Sequence, residues 1–421
     1  MSNQAVNGFL ETEIGPIPDG WGVAKLREVV ALSKDRANPA ELNDVRYVGL
    51  EHMDTGSPRL SRWGISSEVR STKNRFYPGE ILYGKLRPYL RKTVLADFEG
   101  ICSTDILVLR ASSNTTGNWL LHLLHTDAFV NHAISTTGGT NLPRTSWTAL
   151  RDYRFLLPPL PEQRRIAHVL STIQRAIQTQ DAVIAAAREL KRSLMHRLFT
   201  YGPYAEPLPT KETEIGEVPE TWEVLALGKL TEKPQYGYTE SAVREPVGPK
   251  FLRITDIDDS GRVFWPEVPF CRCSDSDLEK FRLTGNDILV ARIGATTGKS
   301  TLVGDCPPAV FASYLIRIRS RHNVLEPSYL YQFMRSQPYW TQIDASKGGR
   351  LKQGVNVPVL QDLYLPVPHI EDQRLIAQSL VAADRKIEAE SNHKTSLEFL
   401  FKSMLHQLMT GKLRMESQAV S

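Results

Sequence analysis

The segment Gly294–Ser300 carries two glycines, a lysine and a hydroxyl group, the residue types with which a nucleotide-binding loop holds phosphate groups. That motif places four residues between its glycines, whereas three residues separate Gly294 from Gly298. The segment also lies between two runs typical of β-strands and not in front of a helix. We therefore interpret it as a turn. No G-x-G-x-x-G motif for a dinucleotide or a methyl-donor cofactor occurs in the sequence.

The other residue types that carry catalysis or bind metals are not grouped in motifs. Cys271 and Cys273 are separated by one residue, unlike the C-x-x-C pairs of zinc sites. The repeated histidines His196 and His406 fall beside apolar positions of helical segments, where a packing role is the common one. The sequence also lacks an Asn-Pro-Pro-Tyr-like tetrapeptide, the signature of amino-methyltransferases, and a nuclease-type carboxylate cluster. These patterns predict a protein that is not an enzyme and that holds neither a metal nor a cofactor of its own.

Basic and amide side chains cluster in two kinds of segment. One follows a predicted strand, at Lys85–Lys92 and Arg292–Lys299, and the other surrounds a pair of glycines. Paired glycines, Gly138–Gly139 and Gly348–Gly349, let the backbone approach a ligand closely. Arginine, lysine, asparagine and glutamine read base edges, and the basic residues also hold phosphates. The predicted DNA-binding residues are Lys85, Arg87, Arg91, Lys92, Asn141, Arg144, Arg292, Lys299, Lys347, Arg350, Lys352 and Gln353. Charged loops are often only solvated, so this prediction depends on how the whole chain is organised.

The chain is a tandem duplication. Glu11–Gly15 recurs as Glu212–Gly216, and later in each half the two copies are separated by 210 residues, as for Gln163 and Gln373. Each copy begins with short apolar runs bounded by glycine, proline and asparagine, a pattern typical of strands, together with one helix. Two related globular parts with different loops are suited to reading two different short DNA sequences.

Each copy ends in a long segment without proline or glycine, residues 162–201 and 372–410. Apolar residues recur there every three or four positions, which predicts a helix with one apolar face. We expect the two helices to pack as an antiparallel coiled coil, although two ordinary core helices would also explain the spacing. The predicted subunit-interface residues are Ile166, Leu170, Ile177, Leu194, Leu198, Ile376, Leu380, Ile387, Met404 and Leu408.

These elements predict an α+β fold, in which a mixed α/β domain followed by a long helix occurs twice. The expected globular domains are residues 1–158 and 203–366, the expected helices are residues 159–202 and 367–414, and residues 415–421 form a tail. The composition, with 41% hydrophobic and 23% charged residues, is that of a folded protein, and a net charge of +4 permits a nucleic-acid partner without requiring one. No apolar run is long enough to span a membrane and no secretory signal is present, so we expect a cytoplasmic protein.

Three motifs resemble those of the specificity (S) subunit of type I restriction-modification enzymes. Each half opens with Glu-Thr-Glu-Ile-Gly, followed by a proline and a tryptophan, and each contains the Gly-Gly loop. Leu157–Ala167 (Leu-Pro-Pro-Leu-Pro-Glu-Gln-Arg-Arg-Ile-Ala) closes the first globular part. Val367–Ala377 is a looser version of that motif, with Asp372 where glutamate is usual. The resemblance covers nearly the whole chain.

The resemblance implies two target-recognition domains joined by two spacer helices, and an asymmetric target of two DNA half-sites. It also implies that the chain binds double-stranded DNA, two methyltransferase (M) subunits and, optionally, two restriction (R) subunits. S-adenosylmethionine, ATP and Mg would then belong to those partners, in agreement with the motifs that this chain lacks. Two alternatives remain open at this point, a specificity subunit of a type IIB system and a standalone tandem DNA-binding or scaffold protein.

Overall fold

A computed structural model describes residues 9–12, 15–138, 142–321, 323–346 and 354–415. The chain divides into two compact units. Unit 1 contains residues 1–181 and 392–421, and unit 2 contains residues 182–391. Both division points lie inside long helices, so each unit holds one globular part, the first half of one long helix and the second half of the other.

Unit 1 is built on short strands that form two larger sheets and two separate antiparallel pairs. The first sheet is antiparallel in the order β10-β9-β12-β4, and the second has the order β5-β8-β11-β6-β7 with a parallel β11–β6 pair. Strand β1 pairs with β2, and β13 with β3. The strands are β1 Phe9–Thr12, β2 Gly15–Pro18, β3 Gly22–Lys25, β4 Val30–Leu32, β5 Arg36–Ala37, β6 Arg46–Val48, β7 Gly64–Ile65, β8 Lys73–Phe76, β9 Ile81–Gly84, β10 Thr93–Leu95, β11 Gly100–Cys102, β12 Ile106–Ala111 and β13 Arg154–Leu157.

The helices of unit 1 pack over one of its hydrophobic cores. They are α1 Leu26–Val29, α2 Gly117–His125, α3 Asp127–Ser135, α4 Trp147–Leu150 and the first half of α5 Leu160–Tyr201. Trp119 of α2 and Phe129 of α3 are fully buried in the same cluster as Ile166 and Leu170 of α5. The sequence predicts one helix in this region, but two are present. Thr126 is extended (φ −65°, ψ 147°) and its side chain accepts a hydrogen bond from the Phe129 N–H, so it ends α2 and caps α3.

Unit 2 repeats these elements with a shorter set of strands. Its largest sheet has the order β17-β22-β19-β20, while β14 pairs with β15, β16 with β23, and β18 runs parallel to β21. The strands are β14 Thr210–Thr213, β15 Gly216–Pro219, β16 Glu223–Ala226, β17 Gln235–Tyr236, β18 Lys250–Leu252, β19 Ile288–Ala291, β20 Ser300–Leu302, β21 Ala309–Phe311, β22 Leu315–Ile318 and β23 Tyr364–Val367. The helices are α6 Leu227–Leu230, α7 Asp275–Phe281, α8 Pro327–Phe333, α9 Gln337–Ser346, α10 Val357–Gln361 and the first half of α11 Ile370–Met409.

The two long helices, α5 and α11, lie inside the predicted segments 159–202 and 367–414. Gly202 and Gly411 follow their last turns with φ values of 82° and 70°, a left-handed conformation that glycine adopts without a steric cost. No helix in the described ranges is both long and apolar enough to cross a membrane. The predicted domain boundaries, residues 1–158, 159–202, 203–366 and 367–414, stay a prediction.

Within each unit the two long helices run antiparallel. In unit 1, Glu162 of α5 pairs with Arg414 beyond the end of α11, and Asp181 pairs with Lys394 at 2.7 Å. In unit 2, Lys191 pairs with Asp384, and Tyr204 donates to Asp372 at 2.8 Å. Because the residue number on α11 falls as the number on α5 rises, the predicted antiparallel pairing is confirmed, and with it the α+β fold.

The predicted apolar face is buried unevenly. Among the predicted interface residues, Ile166, Leu170, Leu198, Ile376, Leu380 and Leu408 are buried, whereas Ile177, Leu194, Ile387 and Met404 are half-buried. The helices also carry apolar residues off this face, which the sequence predicts to contact a protein partner: Val169, Val183, Leu190, Met195, Leu375, Leu400 and Leu405. For Met195 and Leu405 that prediction is wrong. Met195 belongs to the core of unit 2 and Leu405 to the core of unit 1, because the helix ends are covered by the globular parts as well as by the other helix.

Candidate nucleic-acid interface

The basic segment Lys85–Lys92 of unit 1 follows β9 in a strained backbone conformation. Arg87 and Arg91 flank a 3-10 turn and both have positive φ values, 51° and 50°. A non-glycine residue in this region costs about 1–3 kcal/mol, and such strain tends to cluster at functional sites. Contacts from the rest of the unit hold the segment in place, since the Arg87 N–H donates to the Pro143 carbonyl at 2.8 Å.

The residues that follow the Gly-Gly pair of unit 1 meet this basic segment. Thr145 N–H donates to the Lys85 carbonyl at 3.0 Å, and Leu86 forms a β-bridge with Arg144. These backbone contacts bring Lys85, Arg87 and Arg144 together. Asn141, also predicted to bind DNA, lies outside the described residues.

One carboxylate moderates the positive charge of this group. Asp105 lies 3.1 Å from a guanidinium nitrogen of Arg144 and 3.9 Å from Lys85 Nζ. The Arg144 side chain remains about half exposed and Arg87 is exposed. Asp105 can therefore position the two basic side chains while leaving donors for a phosphate or a base edge.

Arg91 and Lys92 serve the fold of unit 1. Arg91 donates to the His125 carbonyl at 2.8 Å and pairs with Asp127, and this hydrogen bond from Arg91 lowers the pKa of the Asp127 carboxyl. Lys92 donates to the Leu50 carbonyl at 2.7 Å. Their role in binding DNA stays a prediction, but their side chains already have partners in the protein.

In unit 2 a strand end likewise meets the residues that follow the Gly-Gly pair. Val355 N–H donates to the Arg292 carbonyl at 2.8 Å, and Ile293 forms a β-bridge with Gly354. The Arg292 guanidinium stacks on Tyr236 at 4.8 Å from the ring centre, and its buried Nε has no hydrogen-bond partner within the described ranges. The remaining predicted residues of this loop, Lys347, Arg350, Lys352 and Gln353, lie outside the described residues.

The segment Gly294–Ser300 forms a turn between β19 and β20, as the sequence predicts. Thr297 Oγ1 donates to the Gly294 carbonyl at 2.7 Å. Lys299 Nζ lies 3.1 Å from Asp259 and 3.2 Å from the Ile257 carbonyl. Lys299 therefore has protein partners, and its predicted contact with DNA requires that they be exchanged.

One exposed arginine in unit 1 was not among the predicted residues. The Arg46 guanidinium lies over the adjacent rings of Trp63 and Phe98, 4.4 and 4.6 Å from their centres. Stacking holds the guanidinium plane and leaves its donors to an external acceptor. No local signal could have identified this group, because its members are far apart in the sequence and meet only in the folded domain, at the start of β6.

The arrangement is suited to binding. In the part of the chain that the structure describes, no three His, Cys, Asp or Glu side chains are grouped to hold a metal ion. Exposed arginines, backbone N–H groups and glycine loops are the groups that contact phosphates and base edges.

The family model for the "Type I restriction modification DNA specificity domain" matches residues 18–186 and 219–398. The chain belongs to this family. It is a DNA-recognition specificity subunit, and the prediction that catalysis belongs to other subunits is confirmed by relatives that bear the same name. Its tandem duplication corresponds to the two matched domains. The type IIB and standalone alternatives are not favoured.

Some relatives of this specificity subunit are distant in sequence but cover nearly its whole length. The specificity subunit of the type I restriction enzyme MjaVIII from Methanocaldococcus jannaschii is 25% identical, over 95% of each chain. That of EcoKI from Escherichia coli strain K12 is 21% identical, over 96% of this chain and 92% of the relative. The solved S subunit from M. genitalium has a TM-score of 0.59 at 15% identity, over 92% of this chain and 96% of the other. This structural likeness shows the fold alone.

A further solved chain comes from a structure that addresses complex assembly and conformational transition of the type I R-M system. It matches with a TM-score of 0.57 at 20% identity, over 94% of this chain and 99% of that one. The shared fold extends over both units of the specificity subunit described here.

Proposed function

We propose that this specificity subunit recognises a DNA target of two unlike half-sites, one for each unit. The observation that supports this most directly is that both units join the end of a buried strand to the residues that follow the Gly-Gly pair. Leu86 bridges Arg144 in unit 1, and Ile293 bridges Gly354 in unit 2. The loops differ in residue type, Thr140-Asn-Leu in the first copy and Arg350-Leu-Lys in the second. Different side chains at equivalent positions present different donors and acceptors to the bases.

The first prediction concerns the methylated sequence. Sequencing the methylated bases of host cells with and without this gene should show one discontinuous motif that depends on the gene, with two different parts separated by unread base pairs. A continuous or palindromic gene-dependent motif would contradict the proposal. The same experiment identifies the modified base.

The second prediction assigns one half-site to each glycine loop. Arg144→Glu should weaken binding through the first half-site, and Lys347→Glu or Arg350→Glu through the second. Each lost phosphate contact should reduce the slope of log affinity against log salt by about one unit. The measurement is titration of duplexes in which one half-site at a time is scrambled. If the Arg350 variant lost contact with the first half-site instead, the assignment of loops to half-sites would be wrong.

The proposal includes the enzyme partners, namely two methyltransferase subunits and, optionally, two restriction subunits. S-adenosylmethionine, ATP and Mg would act in those subunits, since this sequence lacks their motifs. Exposed apolar side chains on the long helices support a protein partner, because Leu190 is 70% and Phe399 76% exposed. We place this complex in the cytoplasm. Affinity capture of the tagged chain from a lysate of its native cells should therefore bring down a methyltransferase subunit. Capture of the chain without one would count against this part of the proposal.

A further inference from the structure

Unit 1 contains a cleft of about 400 Å³ between its globular part and helix α5. Two arginines, Arg59 from the globular part and Arg175 from α5, line it together with side-chain amides. The lining also includes Gln174 and Gln178 of α5 and Asn118 at the start of α2. Space of this size admits a short peptide segment or a few side chains, but not a DNA duplex.

The positive charges in the cleft have no carboxylate counterpart of their own. Neither Arg59 nor Arg175 forms an ion pair with a residue of the described ranges, and Arg175 donates to Thr172 Oγ1 at 3.0 Å. Asp97, the one carboxylate among the lining residues, is not within ion-pair distance of either guanidinium. Both arginines are exposed, so their donors remain available to a ligand.

In unit 2 the equivalent space contains a loop of the protein, which is bound through an arginine and a carboxylate of the same chain. Glu388 of α11 stands at the position equivalent to Gln178, since the two helices align at the constant separation of 210 residues. Arg262 donates to Glu388 at 2.8 Å, and Tyr331 OH donates to the Ser260 carbonyl at 3.4 Å. These two contacts hold the loop around Ser260 against α11 and α8.

The corresponding loop of unit 1 divides these contacts differently. Both loops follow a 3-10 turn and an aspartate, Asp54 or Asp258, that binds an arginine side chain of the loop. In unit 1 Arg62 makes that contact, and Arg59 is left facing the cleft. Leu121 replaces Tyr331, and Gln178 replaces Glu388. The first copy therefore lacks this internal carboxylate but has an arginine in place to bind one.

We infer that the cleft of unit 1 binds an acidic side chain on a segment of the methyltransferase subunit. The carboxylate would lie between Arg59 and Arg175, with Gln178 donating to it, and the backbone would contact the apolar wall formed by Leu60 and Leu95. The inference rests on the proposed function, because it requires that this partner exists. A peptide is favoured over DNA since the equivalent space in unit 2 holds a protein loop through an arginine–carboxylate pair.

The test measures two affinities of the full-length chain, one for the purified methyltransferase subunit and one for duplex DNA containing the target. Arg59→Glu and Arg175→Glu should each weaken methyltransferase binding on the order of 10- to 100-fold and leave DNA binding unchanged, because each reverses a charge that meets a desolvated carboxylate. Arg164→Glu is the matched control, since Arg164 is exposed on the same helix about 16 Å from Arg175. Unchanged melting temperatures would show that the variants fold.

A second pair of variants tests the comparison between the units. Gln178→Glu supplies the carboxylate that Glu388 supplies in unit 2, so it should neutralise Arg59 and weaken methyltransferase binding. Thr179→Glu, which adds the same charge at the neighbouring exposed position, should not. If the arginine variants lost DNA affinity but kept methyltransferase affinity, the cleft would be a phosphate site and the inference would be overturned, as it would be if neither affinity changed. A wild-type chain that binds DNA but no methyltransferase would instead refute the proposed partner.

Discussion

Replacing Asp384 with leucine should lower the free energy of unfolding by about 2–4 kcal/mol. Asp384 of α11 accepts two hydrogen bonds from Lys191 Nζ, at 2.6 and 2.7 Å, and one each from Gln332 and Arg335 at 2.9 Å. The Lys191 side chain is 8% exposed. The leucine variant would leave two cations close together without a counter-ion, which is the costly way to break a buried ion pair.

The control is Lys191→Met, which removes one cation and leaves the carboxylate bound by Arg335 and Gln332. Because no buried charge is left unpaired, the loss should be about 1 kcal/mol or less. Urea titration of the three proteins measures both values. Equal losses in the two variants would show that Asp384 does not hold the cluster together.

The same cluster gives unit 2 a pH dependence at the alkaline side. Burial and the charge of Arg335 lower the pKa of Lys191 to about 8, against the opposing effect of Asp384. An unfolded lysine has a pKa of about 10.4, so the unfolded chain binds more protons between these two values and stability rises with pH there. Wild-type protein should therefore gain stability relative to Lys191→Met between about pH 8 and about pH 10. A difference that is constant or shrinks over this range would contradict the lowered pKa.

At the equivalent positions of unit 1, an aromatic contact replaces this ionic cluster. His122 stands where unit 2 has Gln332, and Phe401 where it has Lys191, with ring centres 6.1 Å apart. Burial lowers the pKa of His122 to about 3, so its ring stays neutral at physiological pH. The two copies therefore stabilise their helix pairs with different chemistry, aromatic in unit 1 and ionic in unit 2.

Local periodicity made the long helices predictable, since an apolar residue every three or four positions depends on the helix alone. It could not show which apolar residues the globular parts cover, and for that reason Met195 and Leu405 were assigned to the wrong surface. The sequence shows a basic segment that contains Lys85 and a glycine-rich segment close to Thr145. It does not show that the two segments are in contact. Their contact depends on β-bridges between distant parts of the chain, for which the sequence contains no spacing signal.

The duplicated motif was predictable as a repeat but not as a set of contacts. Gln163 and Gln373 make equivalent bonds, because each amide donates to a proline carbonyl, of Pro158 and Pro368, at 2.9 Å. The neighbouring acidic residue differs between the copies, and no local pattern predicts that Glu162 is buried. Its partner Arg414 comes from a segment more than 200 residues away, beyond the end of α11.

The last prediction is that Glu162→Ala should lower the free energy of unfolding of unit 1 by about 2–4 kcal/mol. Glu162 is 3% exposed and accepts hydrogen bonds from Trp21 Nε1 at 2.8 Å, from Arg414 at 2.9 and 3.0 Å and from the Met415 N–H at 3.0 Å. Burial alone would raise the pKa of this carboxyl, but Arg414 and Trp21 outweigh it and keep the pKa low. The alanine variant would leave the indole N–H without its acceptor and would take the carboxylate away from the guanidinium, which keeps the Asp19 carbonyl.

The repeat supplies a matched control for this prediction. Asp372 occupies the equivalent position of unit 2, but it accepts a hydrogen bond from the hydroxyl of Tyr204, a side chain that is 46% exposed. Asp372→Ala should therefore cost less than about 1 kcal/mol. Amide hydrogen exchange separates the two effects, because Glu162→Ala should speed exchange at the Met415 N–H and around Arg414, while Asp372→Ala should leave both unchanged. If the two variants were equally stable, or if exchange near Arg414 did not change, the buried glutamate would not be what fixes this segment to α5.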